Sequence, residues 1–256
     1  MFTTLYAYDI STVYAETASP FSCDTRSRGN AGKRETTYGD TMRIITLVTQ
    51  KGGAGKTTLA INCAIAAERK KKRVLILDLD PQASSEGWYQ DREAETPRLA
   101  KVDSWALPEA IAKAQAANFD YVVIDTPGRD EPSTTAAIRA ADFCIIPCRP
   151  TPVDLKAVPP TVATINRLKK PAVFVLTQTP ARGERVREAE AGLSMLGIVS
   201  PVRIIARAAY QDAHGAGLGV IEYEPEGKAA AEVKQLWDWI VKKMEKVAYE
   251  QETNIS

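Results

Sequence analysis

The chain has 256 residues, enough for one large α/β domain or two small ones. A hydrophobic content of 45% with 25% charged residues is that of an ordinary globular protein and excludes a disordered or fibrous one. The formal net charge of +1 leaves no global basic excess to announce nucleic acid, and no apolar run approaches the ~20 residues needed to span a bilayer.

Residues 1–42 carry Ser, Thr, Tyr and Gly with little periodicity and no secretory pattern, so they are expected to be a disordered extension ahead of a single domain over 43–256. From residue 43 the pattern alternates. Strands are expected at Ile44–Thr49, Arg73–Leu79, Tyr121–Asp125, Phe143–Pro147 and Ala172–Thr177, with weaker ones near Arg98–Val102 and Val202–Ile205. Helices are expected at Thr58–Arg69, Ser84–Arg92, Leu107–Ala117, Ser133–Ala140, Val153–Leu168, Gly183–Leu196 and Pro225–Lys246. Strands such as Val74-Leu75-Ile76-Leu77 are apolar throughout. Strands of that kind between helices predict a mostly parallel sheet covered on both faces, the α/β class.

Between the first strand and first helix lies Lys51-Gly52-Gly53-Ala54-Gly55-Lys56-Thr57-Thr58. Strand, glycine loop and helix are the context of a phosphate-binding loop, in which backbone N–H groups and a helix N-terminus face an anion. Lys56 would reach the β- and γ-phosphates, and the Thr57 hydroxyl would ligate Mg²⁺. The strict pattern G-x-x-x-x-G-K-[ST] fails, because Gln50 stands where its first glycine would be. In its place comes a second lysine, Lys51. One nucleotide held by its own loop does not need it, and it could point outward to a nucleotide on another subunit.

Two later strands end in carboxylates, at Asp78-Leu79-Asp80-Pro81-Gln82 and at Asp125-Thr126-Pro127-Gly128. In a parallel sheet both ends share the edge of the phosphate loop, so Asp78, Asp80 and Asp125 should surround one Mg-nucleotide, with Asp125 a magnesium partner through water. The four cysteines, Cys23, Cys63, Cys144 and Cys148, show no metal spacing and read as reduced thiols. His214 reads as a loop or packing histidine, and Trp237 and Trp239 as packing residues.

Together these motifs resemble the ParA/MinD family of deviant Walker ATPases, over about residues 43–245. The run Ala140–Pro150 belongs to the same resemblance, and Trp88-Tyr89-Gln90-Asp91-Arg92, a W-x-x-x-R, is similar to that of the short, ParF-like partition branch. The resemblance implies a P-loop NTPase fold, an ATP and Mg²⁺ cofactor set, and slow hydrolysis by an ATP-sandwich homodimer. Lys51 would be the signature lysine that crosses to the partner's ATP. Lys56 and Thr57–Thr58 would hold phosphates and magnesium, Asp78 would support the magnesium shell, and Asp80 would orient the attacking water. Base contacts are implied near Thr177-Gln178 and Arg203–Ala206, although Thr177 departs from the asparagine common there.

The branch also implies binding to nonspecific DNA, a DNA-bound ParB-like adaptor, and a cytoplasmic, nucleoid-associated location without membrane contact, since the last residues lack an amphipathic basic face. DNA contact needs exposed Lys and Arg. Arg167, Lys169 and Lys170, and Lys234, Lys242, Lys243 and Lys246 of the basic C-terminal surface, are the candidates. Two other readings stay open: a positioning ATPase for a protein cargo, and a small-molecule ligase on the same fold.

Overall fold

The computed structural model describes residues 41–81, 84–128 and 131–253. Seven strands form one sheet: β1 (Arg43–Leu47), β2 (Val74–Asp78), β3 (Arg98–Lys101), β4 (Tyr121–Asp125), β5 (Phe143–Cys148), β6 (Ala172–Leu176) and β7 (Ile198–Val199). Their order is β3-β2-β4-β1-β5-β6-β7 and every pairing is parallel. The helices are α1 (Lys56–Arg69), α2 (Ser84–Gln90), α3 (Leu107–Ala116), α4 (Glu131–Ala140), α5 (Pro152–Lys156), α6 (Val158–Arg167), α7 (Glu184–Ser194), α8 (Ala208–Gly215), α9 (Val220–Tyr223) and α10 (Lys228–Thr253).

The two-residue period of the strands divides the core between the faces of the sheet. Ile45, Leu47, Val74 and Ile76 pack with α1 and α10, whereas Ile44, Leu75 and Leu77 pack on the opposite side with α3. A third cluster unites β5 and β6 with α6 and α7. Helix α1 is buried almost all round from Leu59 to Ala67. Its run of Ala and Ile, together with Cys63, lets it sit between the sheet and α10. Tyr121 meets Trp237 edge-on at 5.1 Å, so Trp237 is a packing residue as expected, and Trp239 packs at the margin of the same cluster.

β1 pairs with β4 on one side and β5 on the other. The chain leaves β1 toward β2 and returns beyond it only at β5, so the order reverses at β1. Ligands in open α/β sheets bind outside the carboxyl ends of strands at such a reversal. The register also sets Asp125 directly beside Leu47 and Asp78.

Several boundaries differ from expectation. The seventh strand is Ile198–Val199 rather than 202–205. Pro201 has no N–H for the ladder, and the chain rejoins the end of β6 only through Ile204 N–H to the Leu176 carbonyl, at 2.9 Å, and a bridge between Thr179 and Ile205. The helix expected over 153–168 breaks at Ala157, because Pro159 and Pro160 cannot donate to the preceding turn. α10 starts at Lys228, after a turn closed by Gly227 N–H on the Glu224 carbonyl, and runs to Thr253 instead of ending at Lys246. α8 and α9 were not expected. The N-terminal extension falls outside the described residues up to residue 40, and Met42 already packs against the core.

Candidate functional site

The loop after β1 closes on itself through two left-handed residues, Gly53 (φ 73°) and Gly55 (φ 91°), a conformation that favours glycine. Gly55 caps α1 without any side-chain hydrogen bond to the helix, leaving its first N–H groups available to an anion. Gly128, after β4, comes so close that an added Cβ would lie 3.0 Å from the Gly52 nitrogen, so the two loops are packed backbone to backbone.

Beneath the loop, Thr177 Oγ1 donates to the Ala54 carbonyl at 2.8 Å and Gln178 Nε2 to the Gly53 carbonyl at 2.9 Å. Thr177 is 2% exposed. These two side chains therefore brace the glycine loop from the end of β6, in addition to lining the cavity where base contacts were expected.

The charges are strained in a way that asks for a ligand. Lys56 is buried, with Nζ 3.4 Å from the Lys51 carbonyl. Desolvation lowers its pKa, opposed by Asp125 and then Asp80. Asp125 is pushed up to about 7, first by burial and further by Asp78, although the Thr57 hydroxyl donates to its Oδ2 at 2.6 Å and the Ser85 hydroxyl at 3.3 Å. Burial likewise raises Asp78, whose Oδ1 accepts the Asp80 N–H at 2.8 Å. Asp78 Oδ2 and Asp125 Oδ1 are buried without a hydrogen-bond partner.

Two adjacent buried carboxylates with orphaned oxygens favour a cation nearby. Among the described residues, no group of three or more His, Cys, Asp or Glu could hold a metal ion. A cation here would need phosphate oxygens and water for most of its shell, which suits Mg²⁺ with Thr57 and Asp125.

A cavity of about 870 Å³ opens above this floor. Gly52, Gly53, Gly55, Lys56, Thr57, Thr58, Asp80, Thr177 and Gln178 line it. Ala54 is buried in the loop, Asp78 and Asp125 lie behind Thr57, and Lys51 is half-buried outside the cavity lining.

The far wall comes from residues with no motif: Ile204–Ala208, Tyr210, Gln211, His214 and Gly215. Of the expected second base segment, Ile204–Ala206 line the cavity, while Arg203 is not among the lining residues. Arg207 donates to Glu232 Oε1 from Nε at 3.0 Å, fixing α8 to α10. His214 is among the residues lining the cavity. Burial lowers its pKa, against the pull of Asp91. Ser85 and Gly128 also had no signal in the sequence beyond their place in a helix and a turn.

The basic candidates lie apart from the loop. Lys169 and Lys170 share a smaller cavity with Arg43, Phe143, Met244 and Val247, at the edge where the strands begin. Lys242 and Lys246 flank that end of α10, and Lys246 pairs with Glu250 at 3.6 Å. Lys243 stacks over Trp239 at 5.7 Å, and Lys234 Nζ donates to the Pro225 carbonyl. No helix of the described residues is long and apolar enough to cross a membrane.

A family model described as the CobQ/CobB/MinD/ParA nucleotide binding domain matches residues 45–215. The maintenance of carboxysome distribution protein A of Halothiobacillus neapolitanus is 30% identical over 201 residues, 75% of this chain and 93% of that protein. The chromosome-partitioning ATPase Soj of Thermus thermophilus is 32% identical over 157 residues, 50% of this chain and 63% of that protein. The cell division ATPase MinD of Pyrococcus furiosus superposes with a TM-score of 0.65 at 22% identity, covering 79% of this chain and 99% of that one, a likeness of fold.

Proposed function

The chain belongs to the CobQ/CobB/MinD/ParA nucleotide-binding domain family, and on that premise we propose that it is a Mg-dependent ATP hydrolase of the short ParA type. It dimerises around two ATP molecules, binds DNA nonspecifically in that state, and is stimulated by a DNA-bound adaptor. The observation that carries this reading is the division of the two loop lysines: Lys56 lines the cavity and is desolvated beside Asp125, while Lys51 stays outside it.

Phosphoryl transfer needs positioning and charge neutralisation rather than covalent help from the protein. Loop N–H groups and Lys56 would receive the β- and γ-phosphates, relieving the desolvation of the amine. Asp80, on the cavity wall, would orient water in line with the γ-phosphorus. Water adds there as the bond to the β–γ bridging oxygen breaks, giving ADP and phosphate. Thr57, and Asp125 through water, would hold magnesium, which supplies further charge neutralisation when bound. Lys51 would complete the partner's site, so dimerisation would follow ATP.

A second reading is favoured by the relative that matches over 93% of its own length, the carboxysome distribution protein. In that reading the cargo is a protein assembly and DNA is only the surface it moves over. A DNA-shift assay with ATP, ADP or no nucleotide tests the coupling. Retention of DNA only with ATP supports the proposal, and equal retention in all three states refutes it. A cargo pull-down with ATP then separates a DNA-bound adaptor from an assembly-bound one.

A further inference from the structure

The W-x-x-x-R segment remains without a role in the chemistry described so far, and it sits at a junction. Trp88 and Arg92 follow Ser85 along α2 and its last turn. Arg92 has a side chain 1% exposed and grips Glu222 with both ends of its fork, Nη1 to Oε2 at 2.8 Å and Nη2 to Oε1 at 2.9 Å. The same guanidinium donates to the Gly217 carbonyl at 2.9 Å and, from Nε, to the Thr96 carbonyl at 2.7 Å, and it lies 5.0 Å above the Trp88 ring. Trp88 Nε1 donates to the Leu218 carbonyl at 3.1 Å.

The receiving segment is wedged in place. Gly217 has φ 66° and a Cβ there would come within 2.4 Å of the Asp91 backbone. A Cβ on Gly219 would meet Ile65 of α1 at 2.4 Å. Val220 N–H donates to Asn62 of α1 at 2.9 Å. Burial alone would raise Glu222, but the bonds from Arg92 and from the Gly219 N–H win and hold it below the ordinary carboxylate value, so it is an anion.

Three elements thus meet at one buried ion pair, and each carries part of the nucleotide site. α1 begins with Lys56 and Thr57. α2 carries Ser85 on Asp125 and follows Asp80 in the chain. The 217–222 segment directly follows His214 and Gly215 of the cavity wall. A buried ion pair contributes little net stability compared with apolar packing, and its best-attested use is to fix one arrangement among several. A bidentate, stacked arginine adds directional constraint that a lysine does not.

We propose that Trp88, Arg92 and Glu222 form a positioning clamp that locks α2, with Ser85 and the preceding Asp80, to the nucleotide-binding wall of α8, so that turnover and not nucleotide affinity depends on it. The inference rests on the ATP-hydrolase reading given above. Arg92 and Glu222 are not among the residues that line the cavity, so an effect on turnover acts through the elements they join.

The test compares wild type with Arg92→Lys, Glu222→Gln and Trp88→Phe, all measured well below each variant's melting temperature. Fluorescent ATP-analogue binding gives affinity, and phosphate release at saturating ATP gives kcat. Arg92→Lys and Glu222→Gln are expected to bind the analogue within threefold of wild type while kcat falls at least tenfold, with Trp88→Phe intermediate because its ring stays under the guanidinium. Unchanged kcat in folded variants would overturn the clamp, as would a loss of analogue affinity larger than the fall in kcat. If Arg92→Lys does not fold, the near-isosteric Glu222→Gln carries the same two outcomes. A wild-type protein that binds the analogue but releases no phosphate would defeat the hydrolase reading itself, and that result is seen before any variant is made.

Discussion

Replacing Thr177 by Val decides between two roles for the end of β6, a base contact or a strut of the phosphate loop. The substitution keeps the shape of the side chain and exchanges its hydroxyl for a methyl group, so it opens no cavity. It deletes the 2.8 Å hydrogen bond to the Ala54 carbonyl in a place where neither residue sees solvent. A buried carbonyl deprived of its donor costs about 1–3 kcal/mol. For a domain of this size each kcal/mol lowers the melting temperature by about 2–4 °C, so a loss of roughly 2–12 °C is expected without nucleotide. If the whole cost falls on the ligand-ready form of the loop, affinity drops about 5- to 150-fold.

A strut acts on the phosphates, so ATP, GTP and inorganic tripolyphosphate should all weaken by a similar factor, read by calorimetry. Thr177→Ser, which retains the hydroxyl, should recover most of it. Weakened ATP binding with unchanged tripolyphosphate binding would refute the strut and return Thr177 to the base.

Asp80→Ala should bind ATP within a few-fold of wild type and accumulate as an ATP-bound dimer while phosphate release falls at least ~100-fold, the scale of losing a positioned group at the attacking water; wild-type turnover would place that function elsewhere. Lys51→Ala should leave ATP affinity nearly intact, because Lys51 lies outside its own cavity. Sedimentation with ATP should show monomer, and retention on DNA should fall about tenfold or more as the second contact is lost; a stable ATP dimer of this variant would contradict the trans role. Glu68 gives a pH dependence. Burial raises it from 4.5 to about 7, with Glu222 adding and Thr96, Arg92 and Arg69 opposing. The folded state then keeps a proton that the unfolded state has released between pH 4.5 and 7, so this contribution to stability is complete below pH 4.5 and is lost as pH rises through 7. Glu68→Gln should match wild type in thermal melts near pH 4.5 and exceed it at pH 8 by up to about 7–14 °C, the scale of a shift of this size; identical differences at both pH values would count against the shift.

The sequence alone determined whatever depends on neighbours along the chain. The glycine loop between β1 and α1 was legible because its glycines, Lys56 and Thr57 are contiguous and flanked by a strand and a helix of clear period. The parallel sheet followed from strands apolar on both faces, and Asp78 and Asp125 followed from being the last residues of two of them. What failed locally failed at punctuation: the strand expected at Val202–Ile205 forms instead at Ile198–Val199, ahead of Pro201, and Pro159 and Pro160 split a helix.

Only the tertiary structure decided which distant segments share a wall with the loop. α8 is short and of mixed composition, and nothing in it announces His214 or Gln211 as facing a nucleotide cavity. Thr177 became a strut only when β6 came to rest two places from β1, and Arg92 found Glu222 across 130 residues. Periodicity reports which face of an element is buried. It carries no record of what that face is buried against, because the partner is chosen by the packing of the whole chain.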